Sequence, residues 1–277
     1  KWGQDPDTGR WVVVADRWHT GIVDAAGTGG LLAHIDGRTA AKVAEWIAEQ
    51  PDSWRAGITH VTIDLSASYL RAVSDALPHA VVVADRFHLV RLANDMLTQV
   101  RQHATRDVRG RRGRARDPEL AGRRKLLLAH ERLDPAAFAK LWNALIDAGD
   151  PGIEILHAYT VKENLRHLLA LSGTNPERSL IRDRLWRLYE QAATSTSPEV
   201  HRFAATVEQW WPAIEAAIIT NYSNARSEGY NRLAKHQGRN VFGYRNVHNH
   251  RRAVSWACTR QHRRASAAIS KVPGQVR

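Results

Sequence analysis

Hydrophobic positions in the first third of the chain fall in short runs bounded by turn-forming residues. Trp11 to Ala15 is apolar and β-prone, and Thr20 to Val23 follows as a shorter run. The turn-rich stretch Asp24 to Gly30 separates it from a returning run, Leu31 to Ile35. Together these predict an antiparallel meander. Thr39 to Glu49 then changes to helical spacing, with Val43, Trp46 and Ile47 as its stripe, and stops before Pro51. A strand over Ile58 to Asp64, a helix from about Ser66 to Ala76 and a strand over Ala80 to Ala84 come next. A longer helix starts near Asp85 and runs toward Arg101.

Beyond that point the pattern is helical. Arg106 to Lys125 is strongly basic and broken by Gly110, Gly113 and Pro118, which predicts an exposed arm or loop. Leu133 to Leu171 holds two helical segments separated by Gly149 to Gly152, and Arg178 to Ala193 a third. Glu199 to Ile219 predicts one further helix, with Trp210 and Trp211 inside it. Ser223 to Lys235 also has helical spacing, and it brings Asn224, Glu228, Arg232 and Lys235 near one face. The expected division is an α/β part over 1–100, a basic arm and helical block over 101–219, and a helix with a basic tail over 220–277.

Charge sharpens the reading. The formal net charge is +12 over 277 residues, carried mainly by arginine, which suits bidentate contacts to a polyanion's phosphates. Arg109, Arg111, Arg112, Arg114 and Arg116 are candidates for such contacts, as are Arg245, Arg251, Arg252, Arg260, Arg263 and Arg264. No apolar span or amphipathic anchor argues for a membrane, and no signal peptide opens the chain. The cytoplasm is the expected compartment. The chain starts at Lys1 without Met, which reads as a fragment. Cys258 is the sole cysteine, so an intramolecular disulfide and a cysteine-based zinc site are both excluded. The histidines are scattered, and His248 and His250 are expected to face DNA or solvent.

Two strands end in an aspartate. Asp64 has two readings: a metal ligand at a strand's C-terminal end, or the N-cap of the helix that follows. Asp85 is likewise an N-cap with Phe87 in the core, or a functional acid beside His88. Glu228 is a metal ligand next to Gly229, which lets a phosphate backbone approach, or half of an i,i+4 pair with Arg232.

The strand ending in Asp64, the run Asp85-Arg86-Phe87-His88, and the helix carrying Asn224-x-x-x-Glu228-Gly229-x-Asn231 occur in that order. Together they resemble the insertion-sequence DDE transposases of the ISL-three family, over nearly the whole chain. The resemblance implies an RNase H-like α/β core with a large all-helical insertion before the carboxylate helix. It makes Asp64 the second and Glu228 the final catalytic acid, holding two Mg²⁺ or Mn²⁺ ions, with Asp85 and His88 near the site. Such a pair of ions, roughly 3.5–4 Å apart, activates the attacking oxygen and stabilises the leaving one. Asn224, Arg226, Asn231, Arg232, Lys235 and Arg245 become expected DNA contacts.

The implied partners are transposon-end and target DNA, bound by a homodimer. In the family the first acid lies on an opening strand, so this chain reads as beginning just after it. Asp16 and Asp24 are the internal nominees. Two other readings stand beside this one: an RNase H-like nuclease, and a DNA-binding transposase remnant without catalysis.

Overall fold

A computed structural model describes residues 2–13, 18–25, 27, 30–240 and 246–259. Asp16, Arg245, Arg260, Arg263 and Arg264, named above, lie outside the described residues. The chain is mixed α/β, mostly helical with small sheets, and divides into two compact units. One combines Lys1–Val82 with Ser223–Arg277; the other is Val83–Tyr222.

The first unit begins with two antiparallel ribbons instead of one meander. Strand β1 (Trp2–Gln4) pairs with β2 (Trp11–Val13), and β3 (His19–Val23) pairs with β4 (Leu31–Asp36). The extra ribbon has a local cause that polarity alone concealed. Asp5 Oδ1 accepts the amides of Asp7 and Thr8 at 3.0 and 2.8 Å, and the resulting turn folds Trp2–Gln4 back onto Trp11–Val13.

Helix α1 (Ala40–Ala48) starts at its Thr39 cap and buries Val43 and Ile47; Trp46 is half-buried, edge-on to Trp54. A short helix α2 (Asp52–Ala56) follows Pro51. Then come β5 (His60–Ile63), α3 (Ala67–Ala76) and β6 (Val81–Ala84), each within two residues of its expected limits. The Val81 amide donates to Thr59 O at 2.9 Å and joins β6 to β5. The Tyr69 hydroxyl on α3 lies 3.0 Å from that of Thr20 on β3, which donates to Gly37 O. These contacts tie the helix after Asp64 to the second ribbon.

Helices α12 (Ala225–Asn240) and α13 (Val247–Cys258) complete this unit. The segment expected as a basic tail is therefore helical as far as Cys258. Asn246 caps it, accepting from the amides of His248 and Asn249, and Val254 and Cys258 are buried. His250 does not face solvent as expected: its ring centroid lies 5.9 Å from that of His19 and 6.1 Å from that of His34. Arg251 is ion-paired with Asp36, which removes it from the expected phosphate contacts.

The second unit is all helix after Ala84. It comprises α4 (Arg86–Arg109), α5 (Pro118–Ala121), α6 (Arg123–Leu126), a 3₁₀ turn at His130–Arg132, α7 (Pro135–Asp147), α8 (Asp150–Leu169), α9 (Arg178–Ala193), α10 (Pro198–Gln209) and α11 (Trp211–Thr220). Helix α8 is central, packed by α4, α7 and α9. Its start requires glycine, because a Cβ on Gly152 would sit 1.7 Å from Leu145 O. Lys162 is completely buried; its Nζ donates to Leu126 O and Leu128 O at 2.7 and 2.8 Å and pairs with Glu163 at 2.7 Å. Burial holds its pKa below the ordinary lysine value against the opposing pull of Glu163.

Two expectations fail in this unit for identifiable reasons. The single helix over Glu199 to Ile219 is broken at Trp210, since Pro212 cannot supply an amide to a continuous ladder and instead starts α11. The basic stretch is not a free arm. Arg109 pairs with Glu119 at 2.8 Å and Arg111 with Asp117 at 2.5 Å, while the Arg114 amide donates to Asp117 at 2.6 Å. Those contacts lower the Asp117 pKa to about 2, the Arg111 hydrogen bond most of all. Arg109 and Arg111 are thus engaged within the protein. Arg112, Arg114 and Arg116 keep exposed side chains.

Candidate functional site

Asp64 follows the last residue of β5, and the cap reading for it is excluded. Helix α3 is capped by Ser66, whose Oγ accepts from the Tyr69 amide, so the local chain does not need the Asp64 carboxylate. Asp64 Oδ1 instead accepts from Asn224 Nδ2 at 2.8 Å, across 160 positions of sequence. Asn224 is 9% exposed, which corrects its expected role as a DNA contact: it holds Asp64.

Glu228 lies one helical turn along, in the first turn of α12, and its amide donates to Asn224 O at 3.0 Å. Asn224 therefore links both acids, one through its side chain and one through its backbone. Glu228 is half-buried and, among the described residues, forms no ion pair, so the expected partnership with Arg232 is absent. A carboxylate near a helix N-terminus is favoured in its ionised form by the helix dipole. A Cβ on Gly229 would meet nothing within 4 Å, so packing does not demand this glycine.

Arg226, although exposed, is also tied within the protein. Its Nη1 donates to the carbonyls of Asp24 at 3.1 Å, Ala25 at 3.4 Å and Gly27, while Asp24 Oδ1 accepts the Gly27 amide at 2.6 Å. Arg226 thus fastens the start of α12 to the turn after β3, and Asp24 is a turn-former. Asn231, Arg232 and Lys235 are exposed along α12 and keep the availability expected of them.

In the helical unit, Asp85 is the N-cap of α4. Its Oδ2 accepts the His88 amide at 3.3 Å and lies 2.7 Å from His88 Nδ1. Asp85 is 4% exposed, and its contact with Nδ1 fixes the orientation of the His88 ring. The other half of the cap reading is wrong, because Phe87 is 60% exposed. Both halves of the motif therefore have definite jobs: a cap and an oriented imidazole. Sequence pattern could not have found the Asn224–Asp64 bond or the grip of Arg226, since both depend on contacts between remote segments.

The donor set suits a hard divalent cation. Asp64 and Glu228 offer carboxylate oxygens, the donors that Mg²⁺ and Mn²⁺ prefer. Among the described residues no helix is long and apolar enough to cross a membrane.

Residues 12–254 match the family of ISL3 DDE transposases, described as Transposase. The transposase for insertion sequence element IS1557 of Mycobacterium tuberculosis is 30% identical over 210 residues, in both the CDC 1551 / Oshkosh and the H37Rv strains. The match covers 69% of this chain and 45% of those relatives, so the chain spans less than half the length of the curated proteins it matches. No solved structure matches the chain. With a family match spanning nearly the whole chain, this protein belongs to the ISL-three (ISL3) family of transposases.

Proposed function

We propose that the chain forms part of a DDE transposase that cuts DNA at transposon ends and joins the freed 3′-hydroxyl to target DNA, on an RNase H-like core. The observation that carries this reading is the bond from Asn224 to Asp64, which connects a strand-end acid to the turn of helix bearing Glu228. Asp64 and Glu228 would hold Mg²⁺ or Mn²⁺. When bound, such ions activate an oxygen nucleophile and stabilise the departing one.

The protein's own residues have separable tasks. Asn224 fixes the direction of the Asp64 carboxylate. Glu228, which forms no ion pair among the described residues, presents a second acid on the first turn of α12. Asn231, Arg232 and Lys235 supply donors to a phosphate backbone along the exposed side of α12, and Gly229 leaves that side unobstructed. Asp85 caps α4 and orients the His88 ring through Nδ1. Assembly of two ends calls for a homodimer.

Incubation of the protein with supercoiled plasmid carrying the element's ends, in Mg²⁺ or Mn²⁺, tests this reading. Nicking that vanishes in Asp64→Asn and Glu228→Gln is the expected result. Full-rate nicking in both variants overturns the site. Salt-sensitive DNA binding without nicking in either metal replaces catalysis with the binding-only reading.

A further inference from the structure

A groove of about 420 Å³ opens between β4 and α13, both in the sheet-bearing unit. Leu31, Leu32 and Ala33 line its strand side, and Arg252, Ser255 and Trp256 its helix side. Positions 252, 255 and 256 are spaced i, i+3 and i+4, which sets them on one face of α13. Trp256 is 67% exposed and Leu32 40%. Arg252 is exposed and, among the described residues, forms no ion pair. Its neighbour Arg251 also lines the groove, but is already paired with Asp36. No carboxylate is part of the lining, so neither Asp64 nor Glu228 borders this groove.

An indole, an aliphatic floor and an available guanidinium match the two halves of a nucleotide. Aromatic side chains take the face of a base, and arginine takes the phosphate oxygens. The volume lies within the range of about 300–1,000 Å³ that small-ligand pockets have. A base inside a duplex has both faces covered by its neighbours, so only an unpaired one can lie flat against a protein ring. We infer that the groove seats one unpaired nucleotide of single-stranded DNA, with the base on Trp256 and the phosphate on Arg252. A second copy of this chain could cover the apolar floor. A polyanion is favoured over it, because the lining holds cations and no acid and the whole chain carries +12. The seat rests on the DNA-binding part of the proposed function and adds the form of DNA that is held.

The test is the affinity of the protein for a short labelled oligothymidylate, and for the same strand built of abasic sugars, each as a function of salt. Trp256→Ala is expected to weaken oligothymidylate binding about 5- to 150-fold, the loss of one stacked base, and Trp256→Phe to recover most of it. Binding of the abasic strand is expected to be the same in Trp256→Ala as in the parent. Arg252→Met is expected to lower the slope of log K against log salt by about 0.7 on both strands, the loss of one phosphate contact. Both side chains are exposed, so the Tm of each variant is expected to match that of the parent.

Unchanged oligothymidylate affinity in Trp256→Ala, or a parent protein that binds no single strand, overturns the seat. Equal losses on the two strands overturn the stacking of a base, and with a lowered Tm they make Trp256 structural. Loss of self-association at unchanged affinity assigns the groove to a second copy instead. Absence of plasmid nicking with Trp256-dependent strand binding intact counts against the proposed cleavage and not against the groove. Nicking that proceeds while strand binding ignores Trp256 does the reverse.

Discussion

Each of the two units is stabilised in its own way. Every one of the largest fully buried side chains, from Leu89 to Ile218, lies in the helical unit. The sheet-bearing unit has a thinner core, and its helix α12, which carries Glu228, buries no residue at all. Polar contacts fix its start, Asn224 to Asp64 and Arg226 to the turn carbonyls, and beyond them it lies against α13 and β3. Apolar burial is non-directional and resists unfolding, whereas hydrogen bonds contribute little net stability but fix orientation. Stability and chemical placement are thus separated along the chain.

That contrast can be broken most severely at the acids. Asp64→Ala or Glu228→Ala is expected to lower metal-dependent cleavage at least about a hundredfold, about 2.7 kcal/mol in barrier. The same variants should leave the thermal unfolding of the helical unit unchanged, as read by circular dichroism. A matching fall in helical stability would show that the two roles are not separate.

The next effect is on stability alone. Lys162→Ala leaves the carbonyls of Leu126 and Leu128 without their donor and leaves Glu163 with Arg166 as its charge partner, so it is expected to cost about 2–5 kcal/mol in denaturant unfolding. Leu188→Ala, at a fully buried position, is expected to cost about 2–5 kcal/mol. Leu233→Ala on α12, where the side chain is half out in solvent, is expected to stay within about 0.5 kcal/mol. Equal losses at the two leucines would erase the distinction between the units.

The smallest predicted effect is titration of the second ribbon. His34 is held at a pKa of about 4 by burial, with further lowering from His19, His250 and Arg251; Asp36, ion-paired with both Arg251 and His19, is the acid of this group. A histidine with a depressed folded pKa binds fewer protons folded than unfolded, so stability is full above about pH 6.5 and declines as pH falls toward 4. Hydrogen exchange in β3, β4 and α13 should quicken over that window, and His34→Gln should flatten the response. Unaltered exchange in the parent protein between those pH values would remove the histidine cluster as a source of acid sensitivity.

Much of the sheet-bearing unit was legible because its signals are local. The runs of β-branched residues that end in Asp64 and Asp85 fixed β5 and β6, and Ser66 and Thr39 mark helix starts by their own side chains. What escaped was either a single overridden residue or a long-range contact. Pro212 splits α10 from α11, and a reading led by the apolar run passes over it. Asp117 and Glu119 turn the basic stretch into an ion-paired fold, although net charge made it look solvated. Of the site, residue types and order gave Asp64 and Glu228 as candidates. Only contacts between distant segments revealed that Asn224 faces inward and that Arg226, though exposed, grips the turn after β3.

The bare packing of α12 also has a meaning for how such a protein can change. A helix whose address is written at its first residues leaves the outward side chains beyond them exempt from any duty to the core. The exposed Asn231, Arg232 and Lys235 can be exchanged one by one with little effect on the fold. Drift and selection therefore have an unusually free hand over whatever that surface touches, while the acid beside it stays where it is.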